Sequence, residues 1–448
     1  IPVDGILLTP EATLDESSLT GESIPVERVK GDAVISGSVN GSAVFRMEVT
    51  ALAADSQYQR IVELVKEASE SKAPFVRLAD RYAVPFTIVA YVLAITAWII
   101  SGNPSHFAEV LVVATPCPLI IAAPVAFIAG MSRAARHGII VKNGGTLEKL
   151  ARIKTVAFDK TGTLTHGQPV LSKVMTAPGI EEDELVRLAA IAEQYSAHTL
   201  AHSIVVGAQQ RGLTVEPCTD VTETTAAGLT ATIEGKKVVV GKYSFIAEQD
   251  PNTVRVEITA GELAVYVAID GKFAGALLLR DELRADAPDT LQWLSALGVR
   301  HTLMLTGDGK VTAEHVAREL GVTNVRAECL PLDKVRAVEA VTDRPVMMVG
   351  DGVNDAPVLA AADVGVAMGA RGSTAASESA DVVIMKDDLH RVARSIEIGQ
   401  QTIRIALQSI WIGISLSLIL MVLATFGLIP AVVGAGFQEV IDVIAILN

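Results

Sequence analysis

The chain has 448 residues, half of them hydrophobic, with aromatics at only 4% and a net charge of −14. That length exceeds one compact domain, and an acidic balance without a basic stripe excludes a nucleic-acid binder. Three cysteines, Cys117, Cys218 and Cys329, are too few and too scattered for a disulfide framework or a CxxC zinc site, so the bulk of the chain is expected on a reducing, cytosolic side.

Mean hydropathy is +0.41, as for membrane segments joined to a soluble α/β body. The chain opens on "IPVDGILLTP" without an initiator methionine and reads as a piece of a longer protein. Two apolar segments, 82–100 and 107–130, are separated by "SGNPSH", and two more, 405–428 and 431–448, by two residues. They predict two membrane hairpins. Arg60, Lys66, Lys72, Arg77 and Arg81 precede the first and Arg133, Arg136 and Lys142 follow it, while its tip carries no Lys or Arg. The positive-inside rule then places everything outside the hairpins in the cytoplasm.

The second segment contains "VVATPCPLIIAAPVA", with Pro116, Pro118 and Pro124. A proline in a helix interior removes a backbone donor and clashes one turn back, at about 3 kcal/mol. In lipid such a break survives only where protein groups or a lined cavity satisfy the freed backbone, so Cys117 is expected to face a pathway.

Between the hairpins, "KTVAFDKTGTLT", "HTLMLTGDG", "RPVMMVGDGVND" and "ADVGVAMG" each end an apolar run on Asp, Thr or Gly. Alternating with helical stretches such as 288–297, they predict a doubly wound parallel sheet whose ligand crevice lies beyond the carboxyl ends of its strands. Asp159, Thr306, Asp308, Asp351 and Asp355 would converge there. Residues 168–279 change texture and predict a mainly antiparallel insert. A carboxylate at a strand end beside Gly and Thr donors suits attack on a phosphoryl group, Asp351 offers Mg²⁺ an oxygen ligand, and Lys334 could balance the transferred charge. No GxxxxGK[ST] loop is present, so nucleotide is not held in the P-loop manner.

Through "SLTGES" (18–23), "DKTGTLT" (159–165), "TGD" (306–308) and "GDGVNDAP" (350–357) the chain resembles a P-type ATPase along almost its whole length. The resemblance implies a multidomain membrane protein: α-helical transmembrane hairpins, a HAD-like doubly wound α/β phosphorylation domain, an α+β nucleotide-binding insert and a β-rich actuator fragment. The boundaries read as actuator 1–58, linker helix 59–81, hairpin 82–130, phosphorylation domain 131–167 and 280–391, nucleotide-binding domain 168–279, linker helix 392–404 and hairpin 405–448. It makes Asp159 the phosphorylated residue, with Lys160, Thr306, Asp308, Lys334, Asn354 and Asp355 around it. Thr161 and Asp351 would hold Mg²⁺ with Asp159, and Glu22 would place the water that hydrolyses the phosphoenzyme. Related soluble phosphatases usually carry an acid two residues after the nucleophile. Thr161 stands there instead, so the intermediate should persist.

Two flanking hairpins and a proline-cysteine break before "DKTGT" look like the heavy-metal-transporting type IB branch. Thr115-Pro116-Cys117 replaces its commoner Cys-Pro-Cys, and "QEVID" (438–442) completes a resemblance to the subclass associated with Ni²⁺, Co²⁺ and Fe²⁺. Gln438 and Asp442 are four apart, Glu439 and Asp442 three apart, so all three can share a helical face; with Cys117 they give a mixed S/O site suited to borderline divalent ions. The insert departs from the branch: "SAHTL" and "TAAGL" keep Glu193, His198 and Gly228 for ATP but place Thr199 and Ala226 where Pro and Gly are usual. Gly309 likewise stands where Asn is common. The reading is an ATP- and Mg²⁺-dependent, monomeric pump in the plasma membrane lipid bilayer, exporting a divalent transition metal (Ni, Co, Fe or Zn), with no nucleic-acid partner. The rivals are a pump for copper or potassium and a catalytically silent metal sensor.

Overall fold

A computed structural model describes residues 1–16, 26–41, 43–53, 56, 59, 78–115, 117–196, 199–224, 227–259, 261–351, 355–369 and 378–447. Its centre is a seven-stranded sheet in the order Asn324–Arg326, His301–Leu305, Thr155–Asp159, Val346–Gly350, Val364–Met368, Val382–Ile384, Ile139–Val141. Every neighbouring pair is parallel except the last, which is antiparallel. Thr155–Asp159, Val346–Gly350 and Val364–Met368 are buried at every residue, which is why they read as unbroken apolar runs rather than alternating ones. The register sets Leu305 beside Asp159 and Val349 beside Phe158. Thr306 and Asp351, the next residues out, therefore emerge on either side of Asp159.

The insert is a six-stranded antiparallel sheet in the order Thr219–Thr224, Gly228–Ile233, Lys236–Gly241, Glu262–Ile269, Lys272–Leu283, Thr165–Thr176. Two helices, Glu182–Glu193 and Thr199–Gln210, cover one face, burying Leu185, Leu188 and Ile204 against Val267 and Leu277. Its first and last strands pair with each other and also leave and re-enter the parallel body. The ladder begins at Thr165 opposite Leu283, so the insert hangs on a two-stranded ribbon.

Residues 1–49 include two small antiparallel sheets, packed around Leu7, Leu14 and Val34.

Among the described residues, two helices are long and apolar enough by themselves to cross a membrane, Leu78–Ser101, through its 82–101 part, and His390–Thr425. The expected second span is divided: Pro104–Val113 ends, Ala114 and Thr115 are non-helical, and Cys117–Arg136 begins anew, with Pro118 in its first turn where no donor is lost. Pro116 lies outside the described residues. The fourth segment is a 17-residue helix, Ala431–Leu447. His390–Thr425 packs on all four other helices and is continuous, so the expected linker 392–404 is the lower part of the membrane helix itself. It stops at Gly427, whose φ of +68° terminates a helix without the steric cost a side chain would meet.

Candidate functional site

At the carboxyl end of the parallel sheet, Lys334 donates to Asp159 at 2.5 Å and to Asp355 at 3.1 Å, with all three side chains almost completely buried. Asp159, Asp351 and Asp355 place carboxylate oxygens within 4.8 Å of one another. Burial, then the Asp355 charge, pushes the Asp159 carboxyl well above its ordinary value against the pull of Lys334. The same causes lift Asp351 to about 7. Burial alone would lower the Lys334 ammonium, but the Asp159 and Asp355 carboxylates outweigh it and raise it. Three carboxylates and one ammonium leave excess negative charge in a desolvated pocket. Hard oxygen donors in that arrangement fit a Mg²⁺ ion.

Lys160–Leu164 make a wide turn rather than a regular helix, with Thr161 extended and Gly162 at φ +73°. A Cβ at Gly162 would overlap the Asp351 carboxylate, so glycine sets the clearance between the loop after Asp159 and the next strand end. Thr161 and Lys160 are buried, and Lys160 pairs with Asp308 at 2.5 Å. The Thr306 hydroxyl, buried, accepts from the Asp308 amide at 3.1 Å. A cavity of about 240 Å³ opens beside them between insert and body, lined by Lys160, Thr161, Asp308, Gly309 and Glu262 among others.

Two residues that sequence reasoning missed brace this loop. Arg284, buried, donates to the carbonyls of Gly162 and Thr165 at 3.2 Å and pairs with Asp387, just before the long helix. Asp281 accepts from the Thr165 hydroxyl at 2.6 Å and the Gly167 amide at 3.0 Å. Their only signal was a charged run, "RDELRAD", that reads equally as a solvated turn.

Glu22, His198, Ala226 and Asn354 lie outside the described residues, and so does most of the 59–81 segment. Glu193 ends its helix buried, and burial followed by the Glu223 charge raises its carboxyl to about 7. Gly228 has a local reason for being glycine: it pairs with Gly241, and a Cβ there would overlap the Val240 carbonyl.

In the membrane helices, the Gln438 amide donates to the Thr115 carbonyl at 3.4 Å and accepts from the Ser417 hydroxyl at 3.3 Å. The carbonyl freed by the helix break thus finds a side-chain donor from another helix. Asp442, one turn on, keeps a buried oxygen without a hydrogen-bond partner among the described residues, and so does the Thr115 hydroxyl. Glu439 corrects the expectation of a shared face. It is exposed, because one residue of helix turns by about 100° and only the i, i+4 pair Gln438 and Asp442 stays on the inward side.

Residues 153–363 match the haloacid dehalogenase-like hydrolase family and residues 1–66 the P-type ATPase actuator domain. The chain is 39% identical over 460 residues to a probable copper-exporting P-type ATPase V of Mycobacterium tuberculosis, covering 98% of this chain and 60% of that protein. It is 36% identical to a cadmium, zinc and cobalt-transporting ATPase of Bacillus subtilis, covering 100% of this chain and 66% of that one. It thus spans about two thirds or less of these relatives' lengths. Among solved structures it resembles a zinc-transporting PIB-type ATPase in the E2.Pi state, at a TM-score of 0.88 and 35% identity over 100% of this chain and 76% of that one. With the loop after Asp159, the buried lysine beside it and the broken membrane helix laid out as described, the chain belongs to the PIB-type, heavy-metal branch of the P-type ATPases.

Proposed function

We propose that the protein exports a divalent transition-metal ion through a phospho-Asp159 intermediate formed from ATP. The observation that carries this reading is the buried Asp159–Lys334–Asp355 group, braced by Arg284 and Asp387 at the root of the one helix that also supports Gln438 in the membrane. An Asp159 oxygen attacks the γ-phosphorus of ATP, the bond to the ADP oxygen breaks, and an acyl phosphate forms. Lys334, fixed by Asp355, offsets the charge that gathers on the transferred group. Mg²⁺, held by Asp159, Asp351 and Thr161 with Asp355 close by, would screen the incoming phosphates. Glu22 then takes a proton from the water that attacks the acyl phosphate, releasing inorganic phosphate and restoring the Asp159 carboxylate.

The ion site would combine Cys117 with Gln438, Asp442 and the Thr115 carbonyl, one thiolate among oxygen donors. Such a set favours borderline ions, and the Thr-Pro-Cys and "QEVID" pairing ranks Ni²⁺, Co²⁺ and Fe²⁺ above Zn²⁺. The catalytic body faces the cytoplasm, and the pump works as a monomer in the cell membrane. A copper pump is the second reading, favoured by the name of the mycobacterial relative. The test is metal-stimulated phosphorylation of Asp159 by ATP across Fe²⁺, Co²⁺, Ni²⁺, Zn²⁺ and Cu⁺. Stimulation by the divalent ions is expected. Stimulation by Cu⁺ alone selects the second reading, and none by any of them returns the chain to a silent sensor or a pump for another ion.

A further inference from the structure

The ends of the hairpins far from the catalytic body hold a pair of ligand-type side chains that the reading above leaves unused. His106 and Glu109 sit three apart on the Pro104–Val113 helix, on one face, just after the loop that follows Ser101. His106 Nδ1 and Glu109 Oε2 are 3.8 Å apart, within ion-pair reach; both atoms are buried and neither has a hydrogen-bond partner among the described residues. A hydrogen bond would need about 3 Å, so the pair is too far apart to satisfy itself. A divalent transition metal about 2.1 Å from each atom spans up to about 4 Å, which the observed separation fits.

The neighbouring hairpin shapes the place for the imidazole. The turn ending His390–Thr425 lies against His106, and a Cβ on Gly427 would overlap the ring at Cε1. With φ at +68° as well, Gly427 clears the space that lets the imidazole lie along the turn with Nδ1 on the Glu109 side. Both side chains remain about one-fifth exposed, so water can complete the coordination shell. Burying an imidazole nitrogen and a carboxylate oxygen without partners is costly unless something binds them.

We infer that His106 and Glu109 form a second, two-ligand site for the exported divalent ion at the extracytoplasmic mouth of the membrane helices. It deepens the pump reading and rests on it for the identity of the ligand. One imidazole and one carboxylate hold borderline divalent ions more weakly than a site containing a thiolate, and offer little to Cu⁺. A weak, water-completed site beyond the tight one receives the ion and lets it go.

The test uses the intact protein in lipid nanodiscs, titrated with Co²⁺ and followed by visible absorption and equilibrium dialysis. Cys117→Ser removes the thiolate and its charge-transfer band; the remaining weak Co²⁺ should show d–d bands of a nitrogen–oxygen site. Adding His106→Gln or Glu109→Gln to that background should weaken it by about tenfold or more. Phosphorylation of Asp159 by inorganic phosphate, the hydrolysis step run backwards, identifies which variants are folded, and only these are scored. Unchanged Co²⁺ binding in either folded double variant overturns the inference, as does the absence of any Co²⁺ bound to Cys117→Ser. Failure of the pump reading is separate: it shows as wild-type protein whose phosphorylation by ATP responds to no metal.

Discussion

At the carboxyl end of the parallel sheet, Asp159 on its strand end meets Lys334 of the helix Pro331–Glu339 at 2.5 Å, and Lys334 meets Asp355, at the start of the helix Ala356–Ala361, at 3.1 Å. In the membrane, the polar groups come from three helices and meet at 3.3–3.4 Å around a gap in one of them. The first arrangement is rigid because parallel strands buried on both faces have nowhere to go. The second depends on a proline-made break and on helix rotation, so small changes of angle alter who touches whom.

Four substitutions sharpen or break that contrast. The largest effect is expected from Asp159→Asn, which removes the nucleophile and should lower phosphoenzyme formation from ATP by about a thousandfold or more. Persistent, hydroxylamine-sensitive labelling of the variant would move the chemistry to another carboxylate. Next comes Lys334→Met, which leaves Asp159 and Asp355 buried without the ammonium between them. A loss of about 3–5 kcal/mol is expected in denaturant unfolding of the catalytic body. A loss under 1 kcal/mol would mean that water already reaches the group and that the crevice is not the rigid member of the pair.

Glu193 extends the comparison to a buried acid in the insert. Its folded pKa of about 7 lies above the ordinary value of 4.5. The folded insert therefore holds a proton between those pH values that the unfolded chain releases. The stability Glu193 contributes is fully present below about pH 4.5 and is lost as pH rises through about 7, a change of about 3 kcal/mol. Glu193→Gln should flatten that slope in pH-dependent thermal unfolding; an unchanged slope assigns the titration elsewhere. The smallest effects test the membrane side. Asp442→Ala should weaken the metal response of Asp159 phosphorylation by about tenfold or more, whereas Glu439→Ala should stay within about twofold, since its side chain lies off the inward face. Equal losses would place Glu439 at the ion after all.

Asp159, Thr306 and Asp351 were legible because each stands at or just past the end of an apolar strand, whereas Lys334 and Asp355 come from the starts of helices that follow. The parallel pairing of the central strands followed from the same alternation, whereas their order and the antiparallel last strand, Ile139–Val141, did not. Arg284 and Asp281 were not legible, since a buried arginine on two carbonyls carries no local mark that separates it from a solvated turn. In the membrane, residue types could be read but facing could not: three and four residues are both allowed spacings on a helix, and only the packing shows Glu439 exposed beside the buried Gln438. Gly228 marks a further limit, where a position expected to serve a ligand has a sufficient cause in the Val240 carbonyl beside it.

The unbroken helix His390–Thr425 has a geometric consequence. Its 36 residues form a rod about 54 Å long, in which every added residue advances the far end by 1.5 Å and turns it by about 100°. The stretch between the Asp387 anchor and Ser417 is therefore a phase-setting spacer. Gaining or losing one residue there would swing Ser417 away from Gln438 even with every side chain kept. A change of 11 residues, close to three whole turns, would restore the angle while displacing the membrane end by about 16 Å along the rod.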